Sequence, residues 1–184
     1  MDAARCGSLR VALLPVSTTL CDLVTVIEDN TRIGFARLSD ANEIGVMSKN
    51  EIEHGLGWKY SPEKIATLMG DRSRNVVVAR VGCSLAGFGI MTYYEDQANL
   101  DLLAVKQNFR RMRIGTHVVR WLEKAALTAG AFNIFVQVRS RNVGAIEFYE
   151  SLGFLVLDEQ KGYYRGIEAG LIMAKTLRRM FNAT

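Results

Sequence analysis

The chemistry available to this sequence is concentrated where positive charge and glycine meet. Arg110-Arg111-Met112-Arg113 stands directly before Ile114-Gly115-Thr116, and Val118, Val119, Leu122, Ala125 and Ala126 follow at helical spacing. The first turn of a helix leaves backbone N–H groups without acceptors and carries the positive end of the helix dipole. Arginines beside such a turn, with a glycine that lets a ligand come close, suit a diphosphate. A solvated basic turn between a strand and a helix fits the same residues. The stretch lacks the lysine-serine or lysine-threonine ending of a P-loop and the GxGxxG pattern of dinucleotide folds. Just upstream, Asp101 interrupts an apolar run from Asn99 to Val105. Strict alternation groups it with Asn99, Leu103 and Val105, opposite Leu100, Leu102 and Ala104. Desolvation there raises the pKa of a carboxylate toward that of a useful base, unless a neighbouring cation pairs with it and lowers the pKa instead.

The elements that must position these groups can be read on either side. Upstream, Thr31 to Leu38 reads as a strand, and Asp40 and Glu43 have capping-box spacing at the head of a helix that runs to about Glu53. After HGLGWKY, Ser61-Pro62 makes an N-cap followed by N1, and Gly70 marks the end of a second helix. Two strands follow, Asn75 to Val81 and Leu85 to Tyr94, and a polar turn leads into the run that carries Asp101. Downstream, Asn133 to Val138 reads as a strand and Asn142 as the cap of a helix ending near Gly153. Lys161 to Leu177 would close the sheet as a hairpin, with Gly170 to Ala174 as its apolar strand. This order gives an α/β or α+β sheet with helices on it.

Composition sets the bounds. The chain has 184 residues, 49% hydrophobic and 23% charged, with two prolines and a net charge of +4. One domain with a substantial core is expected, over residues 31–184, with residues 1–30 as an N-terminal extension in which LVTVI fits a helix or a strand. The apolar run Val11 to Pro15 is too short for a signal peptide or a membrane span. Basic residues are scattered outside 110–113 and Arg178-Arg179, which favours a locally anionic ligand over a nucleic-acid surface. Cys6, Cys21 and Cys83 lack metal-like spacing, so neither a metal site nor a disulfide framework is expected, and the cytoplasm is the natural compartment. A monomer or a homodimer is compatible with all of this.

Two strings carry a family resemblance. LAVKQNFRRMRIG resembles the acetyl-CoA loop of the GNAT superfamily of N-acetyltransferases, with Arg110 and Gly115 at the first and last motif positions and Arg113 where the first glycine is expected. RNVGAIEFYESLGF is similar to the second GNAT signature, and with the two in the right order and spacing the resemblance covers about Thr31 to Lys175. The Trp58 and Ser61 region adds a likeness to the branch that acetylates ribosomal-protein alanines. The resemblance implies a central mixed, mostly antiparallel sheet with a splayed parallel strand pair and helices on both faces. It implies acetyl-CoA as cofactor, held by the backbone of Leu103, Ala104 and Val105, by residues Arg110, Arg111, Met112, Arg113, Ile114, Gly115 and Thr116, and by Asn142, Ala145 and Tyr149. Asn142 would serve equally as a helix cap.

The implied reaction is acetyl transfer to a primary amine, on a protein N-terminus or a small molecule, with CoA as product. Tyr149 is the family's proton donor to the leaving thiolate, although a tyrosine that anchors its helix fits as well. His54, Trp58 and Tyr60 lie in the segment that overhangs the acceptor in relatives; a tryptophan pinning that loop is the alternative. His117, one turn into its helix, is expected to be packed or solvated rather than catalytic. Relatives carry a glutamate or histidine where Gln137 stands, and an amide cannot accept a proton at useful pH. Asp101 is therefore the expected base, with a purely structural ion pair as its other reading. A GNAT fold that binds acyl-CoA without turnover is the contrasting function.

Overall fold

A computed structural model of the 184-residue chain describes residues 25–27, 31–53, 57–164, 166 and 168–177. Its strands are β1 (Thr25–Ile27), β2 (Thr31–Phe35), β3 (Arg74–Val81), β4 (Ser84–Tyr93), β5 (Gln97–Val105), β6 (Asn133–Arg139), β7 (Leu155–Tyr164) and β8 (Glu168–Thr176). The helices are α1 (Ala41–Glu51), α2 (Pro62–Met69), α3 (Ile114–Thr128) and α4 (Val143–Ser151). The strands form one sheet in the order β1-β2-β3-β4-β5-β6-β8-β7, antiparallel throughout except where β5 lies parallel to β6. The expected mixed sheet with one parallel pair is therefore present. Its first strand lies inside the stretch that the sequence sets apart as an extension, so LVTVI resolves to strand at residues 25–27, paired with β2.

Each face of the sheet has its own core. Ile114, Val118, Val119, Leu122 and Ala126 form the buried stripe of α3, and Tyr149 and Phe154 join them against Val77, Ala79, Met91, Leu100, Ile134 and Val136. On the other face Ile44, Met47, Ile65 and Leu68 of α1 and α2 pack on Val76, Val78, Phe88, Ile90 and Leu102. Because helices cover both faces, the central strands are buried on both sides, as the continuous apolar runs VVVA and LAGFGIM require.

Local chemistry sets the element ends, with two departures from the sequence reading. Ser61 caps α2 by accepting from Lys64 N at 3.4 Å, with Pro62 in the first turn. Asp40, by contrast, does not cap α1. Its Oδ2 accepts from Arg37 N at 2.8 Å and closes a one-turn 3-10 segment, and its Oδ1 pairs with Arg80 at 2.6 Å. A guanidinium from across the fold thus takes the carboxylate that local spacing assigns to the helix. The closing hairpin also starts earlier than expected: β7 begins at Leu155, and its exposure from Leu155 to Lys161 leaves no burial alternation to mark it.

Close approach of strand and helix depends on glycine at one point. A Cβ on Gly87 would lie 2.9 Å from the carbonyl oxygen of Ala104 and 3.3 Å from side-chain carbons of Ile114 and Val105. Gly87→Ala is expected to cost about 1–3 kcal/mol, because the obstruction includes backbone that cannot swing aside. Denaturant unfolding checks this; a midpoint equal to wild type would contradict it.

Candidate active site

The site begins where the parallel pair ends. β5 and β6 pair over Gln97↔Asn133 to Leu100↔Val136 and then part, while β5 stays bonded to β4 as far as Val105 and β6 to β8 as far as Arg139. Among the described residues no strand lies against the β6-facing edge of β5 beyond Leu100. The gap opens a cleft of about 400 Å³ lined by Leu100, Asp101, Leu102, Leu103, Gln137, Val138, Arg139, Asn142, Ala145 and Tyr149, and by Glu51, Ile52, Arg141 and Glu168. Of the expected site residues, Asp101, Leu103, Asn142, Ala145 and Tyr149 are thus brought together. Ala104 is not at the wall; its side chain is buried in the α1–α2 core.

The alternation expected for β5 fails at Asp101. Ile90 pairs with Leu102 and Met91 with Leu100, so Asp101 is the extra residue of a bulge. As a result Leu100 packs with α3, whereas Leu102 and Ala104 pack with α1 and α2, and the expected common face of these three residues does not exist. The bulge brings Asp101 to Thr92 and Arg74. Its Oδ2 accepts from the Thr92 hydroxyl and from Arg74 Nη1 at 3.1 Å, and Arg74 in turn pairs with Asp71 at 3.0 Å. No bond to a described residue occupies Oδ1, and the side chain is 19% exposed. Burial raises the Asp101 pKa above the ordinary aspartate range, and this outweighs the lowering by Thr92, Arg74 and Lys59.

Opposite, Tyr149 is 6% exposed and held edge-on between Phe148 and Phe154, with ring centroids at 5.2 and 5.4 Å. Its helix is capped as the sequence expects, Asn142 Oδ1 accepting from Ala145 N at 3.2 Å. Gln137 also lines the cleft. Arg139 and Glu168, which sequence reasoning did not single out, pair across β6 and β8 at 2.7 Å, and the hydrogen bond from Arg139 is the main cause that lowers the Glu168 pKa.

At the far end of β5 the basic loop turns into α3. The first helical bond runs from His117 N to Arg113 O at 3.0 Å, which leaves the N–H groups of Ile114, Gly115 and Thr116 without helical acceptors. Arg111 and Arg113 both have left-handed backbones, with φ of 65° and 55°. The bend that a glycine would adopt freely is therefore kept at Arg113 with a side chain attached. Arg110 is committed elsewhere: it pairs with Glu51 at 2.6 Å, while Arg111, Met112 and Arg113 stay exposed. Gly115 serves packing, since a Cβ there would meet the Phe148 ring at 3.2 Å rather than open space. His117 sits inside the helix with Nδ1 enclosed and unbonded among the described residues.

The segment before α2 divides. His54 lies outside the described residues. Trp58 is 42% exposed and does not line the cleft; its indole N–H bonds to Gly45 O and Tyr60 O, both at 3.1 Å, so it pins the loop. Tyr60 is half-buried near Asp101, and its pKa is raised, first by burial and next by that carboxylate. Arg113→Gly is expected to leave thermal stability at or above wild type, because left-handed backbone costs a side-chain-bearing residue about 1–2 kcal/mol. A lowered melting temperature in the variant would show that the guanidinium holds the loop.

The comparisons agree with this geometry. Residues 53–154 match the model of the acetyltransferase (GNAT) family. The [ribosomal protein bS18]-alanine N-acetyltransferase of Escherichia coli (strain K12) is 31% identical over 124 residues, which is 66% of this chain and 82% of that protein. The crystal structure of the Escherichia coli ribosomal-protein-S18-alanine N-acetyltransferase superposes with a TM-score of 0.72 at 23% identity, covering 84% of this chain and 98% of that one. An aminoglycoside 6'-N-acetyltransferase solved with coenzyme A gives 0.69 at 20% identity, covering 80% and 98%. With the family match extending from the buried Glu53 to Phe154 at the end of the second signature, the chain belongs to the GNAT acetyltransferase family.

Proposed function

We infer that this protein transfers the acetyl group of acetyl-CoA to a primary amine by direct attack in the cleft between β5 and β6. The carrying observation is the parting of that parallel pair after Leu100 and Val136, with the head of α4 on the cleft at Asn142 and Ala145 and the head of α3 beside the end of β5 at Val105. The residues present fit the cofactor. The β6-facing edge at Leu103 to Val105 offers backbone groups to a pantetheine amide, apart from the Val105 carbonyl, which accepts from Arg110 Nε at 3.3 Å, and the unbonded N–H groups of Ile114, Gly115 and Thr116, with Arg111 and Arg113 beside them, suit a diphosphate. Acetyl-CoA, when bound, supplies the acetyl group as a thioester that a neutral amine can attack.

The chain's own residues do the rest. A backbone N–H on the open edge of β5 stabilises the negative charge that gathers on the carbonyl oxygen. Asp101 takes the proton of the amine, directly or through water, on Oδ1, while Thr92 and Arg74 hold Oδ2 in place. Tyr149 returns a proton to the departing sulfur. The carboxylates Glu51, Asp101 and Glu168 are paired with Arg110, Arg74 and Arg139. The wall is thereby close to neutral, and an acceptor amine is not trapped in its protonated, unreactive form. A protein N-terminus is the preferred acceptor, in keeping with the similarity to an enzyme named for a ribosomal-protein alanine.

Thiol release from acetyl-CoA against alanine-initiated peptides and a panel of small amines tests this reading. Sustained, amine-dependent release supports it; tight CoA binding with no release for any amine supports a binding module instead, a reading that the Arg74–Asp101 pair favours. For the active enzyme, kcat/KM is expected to rise with pH through an ionisation above the ordinary aspartate range, since Asp101 must lose its proton to act. The sign for stability is opposite over that window: the charged form is costlier folded than unfolded, so stability falls as pH rises from the unfolded to the folded pKa. Asp101→Asn should abolish that acid limb and slow turnover by roughly 10²–10⁴-fold. Tyr149→Phe should preserve CoA affinity and lower kcat; an unchanged kcat would remove the phenol from the mechanism.

A further inference from the structure

A buried carboxylate that this mechanism does not use stands at the end of α1. Glu53 is 7% exposed, yet among the described residues no cation is paired with it, and the donors to it there are neutral. Oε1 accepts from Lys59 N at 2.6 Å, and Oε2 accepts from Ser48 Oγ at 2.9 Å and from Tyr60 N at 3.2 Å. One side chain thus bonds its own helix through Ser48 and satisfies two consecutive N–H groups of the segment before α2. Neither of those two residues lines the cleft, but Tyr60 packs against the same cluster as Ile52 and Leu102, which do, and its pKa is raised first by burial and next by the Asp101 carboxylate. Trp58, with its bonds to Gly45 O and Tyr60 O, closes the same segment from outside.

We propose that Glu53 is a positioning residue for the acceptor: its carboxylate fixes the Trp58–Tyr60 segment so that Tyr60 stands beside Asp101 at the acceptor end of the cleft. The chemistry calls for a carboxylate. Two backbone N–H groups and a hydroxyl are all presented to it, and an amide of the same shape must turn its NH₂ toward one of the N–H donors. Glu53→Gln therefore leaves either Lys59 N or Tyr60 N facing a donor, whichever way the amide is turned, while its volume still fills the site.

The kinetic side of this proposal rests on the acetyltransferase reading, but its structural side does not, and the test keeps the two apart. The chain has two tryptophans, and Trp121→Phe leaves Trp58 as the sole reporter while preserving an aromatic contact to Phe35. In that background Glu53→Gln is expected to raise acrylamide quenching of Trp58 roughly twofold or more, as an exposed indole loses its fixed loop. Acetyl-CoA affinity should stay within about twofold, and KM for an alanine-initiated peptide should rise roughly tenfold with kcat within about threefold. Ser48→Ala, which spares both backbone bonds, should leave Trp58 quenching at its starting value. Unchanged quenching in folded Glu53→Gln would overturn the proposal, as would raised quenching with an unchanged peptide KM. Should Glu53→Gln fail to fold, amide hydrogen exchange in the unaltered chain decides: Lys59 and Tyr60 amides exchanging as freely as an open loop would overturn it. Absence of acetyl transfer in the parent protein would sink the acetyltransferase reading and leave the quenching and exchange results to judge the loop.

Discussion

The structure depends on a parallel strand pair that stops early. β5 and β6 share four residue pairs, whereas each is bonded along its other edge over nearly its whole length. The sheet is therefore two well-bonded halves joined at one end and open at the other. Backbone groups that a closed sheet would consume are left facing a gap, where a ligand with amide groups can complete the ladder. Both strands continue from the gap into helices, so α4 presents its positive end at the cleft through Asn142 and Ala145, and α3 presents its own beside the end of β5 at Val105. An anionic, amide-bearing ligand answers both features at once.

Ion pairs fasten the rim of that opening. Arg110–Glu51 and Lys106–Glu43 tie the basic loop to α1, Arg139–Glu168 ties β6 to the start of β8, and Arg74–Asp101 spans the bulge in β5. Where these side chains are exposed, the pairs add little to stability. Their effect is on geometry and on local charge: they hold loops that bear site residues and keep the cleft from becoming strongly acidic. The same α1 that receives Arg110 at Glu51 carries Glu53 just past its last turn, so the loop expected to hold the diphosphate and the segment proposed to serve the acceptor meet at one helix end.

What could be read in the sequence was local. Ser61-Pro62 and Asn142 act as caps because a side-chain oxygen reaches an N–H three residues on, which spacing alone reveals. The stripe of α3 and the double burial of the central strands follow from hydrophobic periodicity. The parts that stayed hidden were set by partners far along the chain. Arg80 removes Asp40 from the helix cap, and pairing with β4 makes Asp101 a bulge, which moves Leu102 and Ala104 to the face opposite Leu100. Glu53 and Glu168 gave no signal, since an isolated glutamate beside a helix end or in a hairpin looks like a solvated charge until its donors are seen. Gly115 was expected to clear space for a ligand; the Phe148 ring occupies that space.

The most direct measurement is amide hydrogen exchange on the full chain with and without acetyl-CoA. Slowed exchange confined to the open edge of β5, at residues 101–105, and to Ile114, Gly115 and Thr116 is the result expected if the parted strands and the head of α3 hold the cofactor. Saturating acetyl-CoA that protects another part of the sheet, and leaves both of these stretches unchanged, would contradict it.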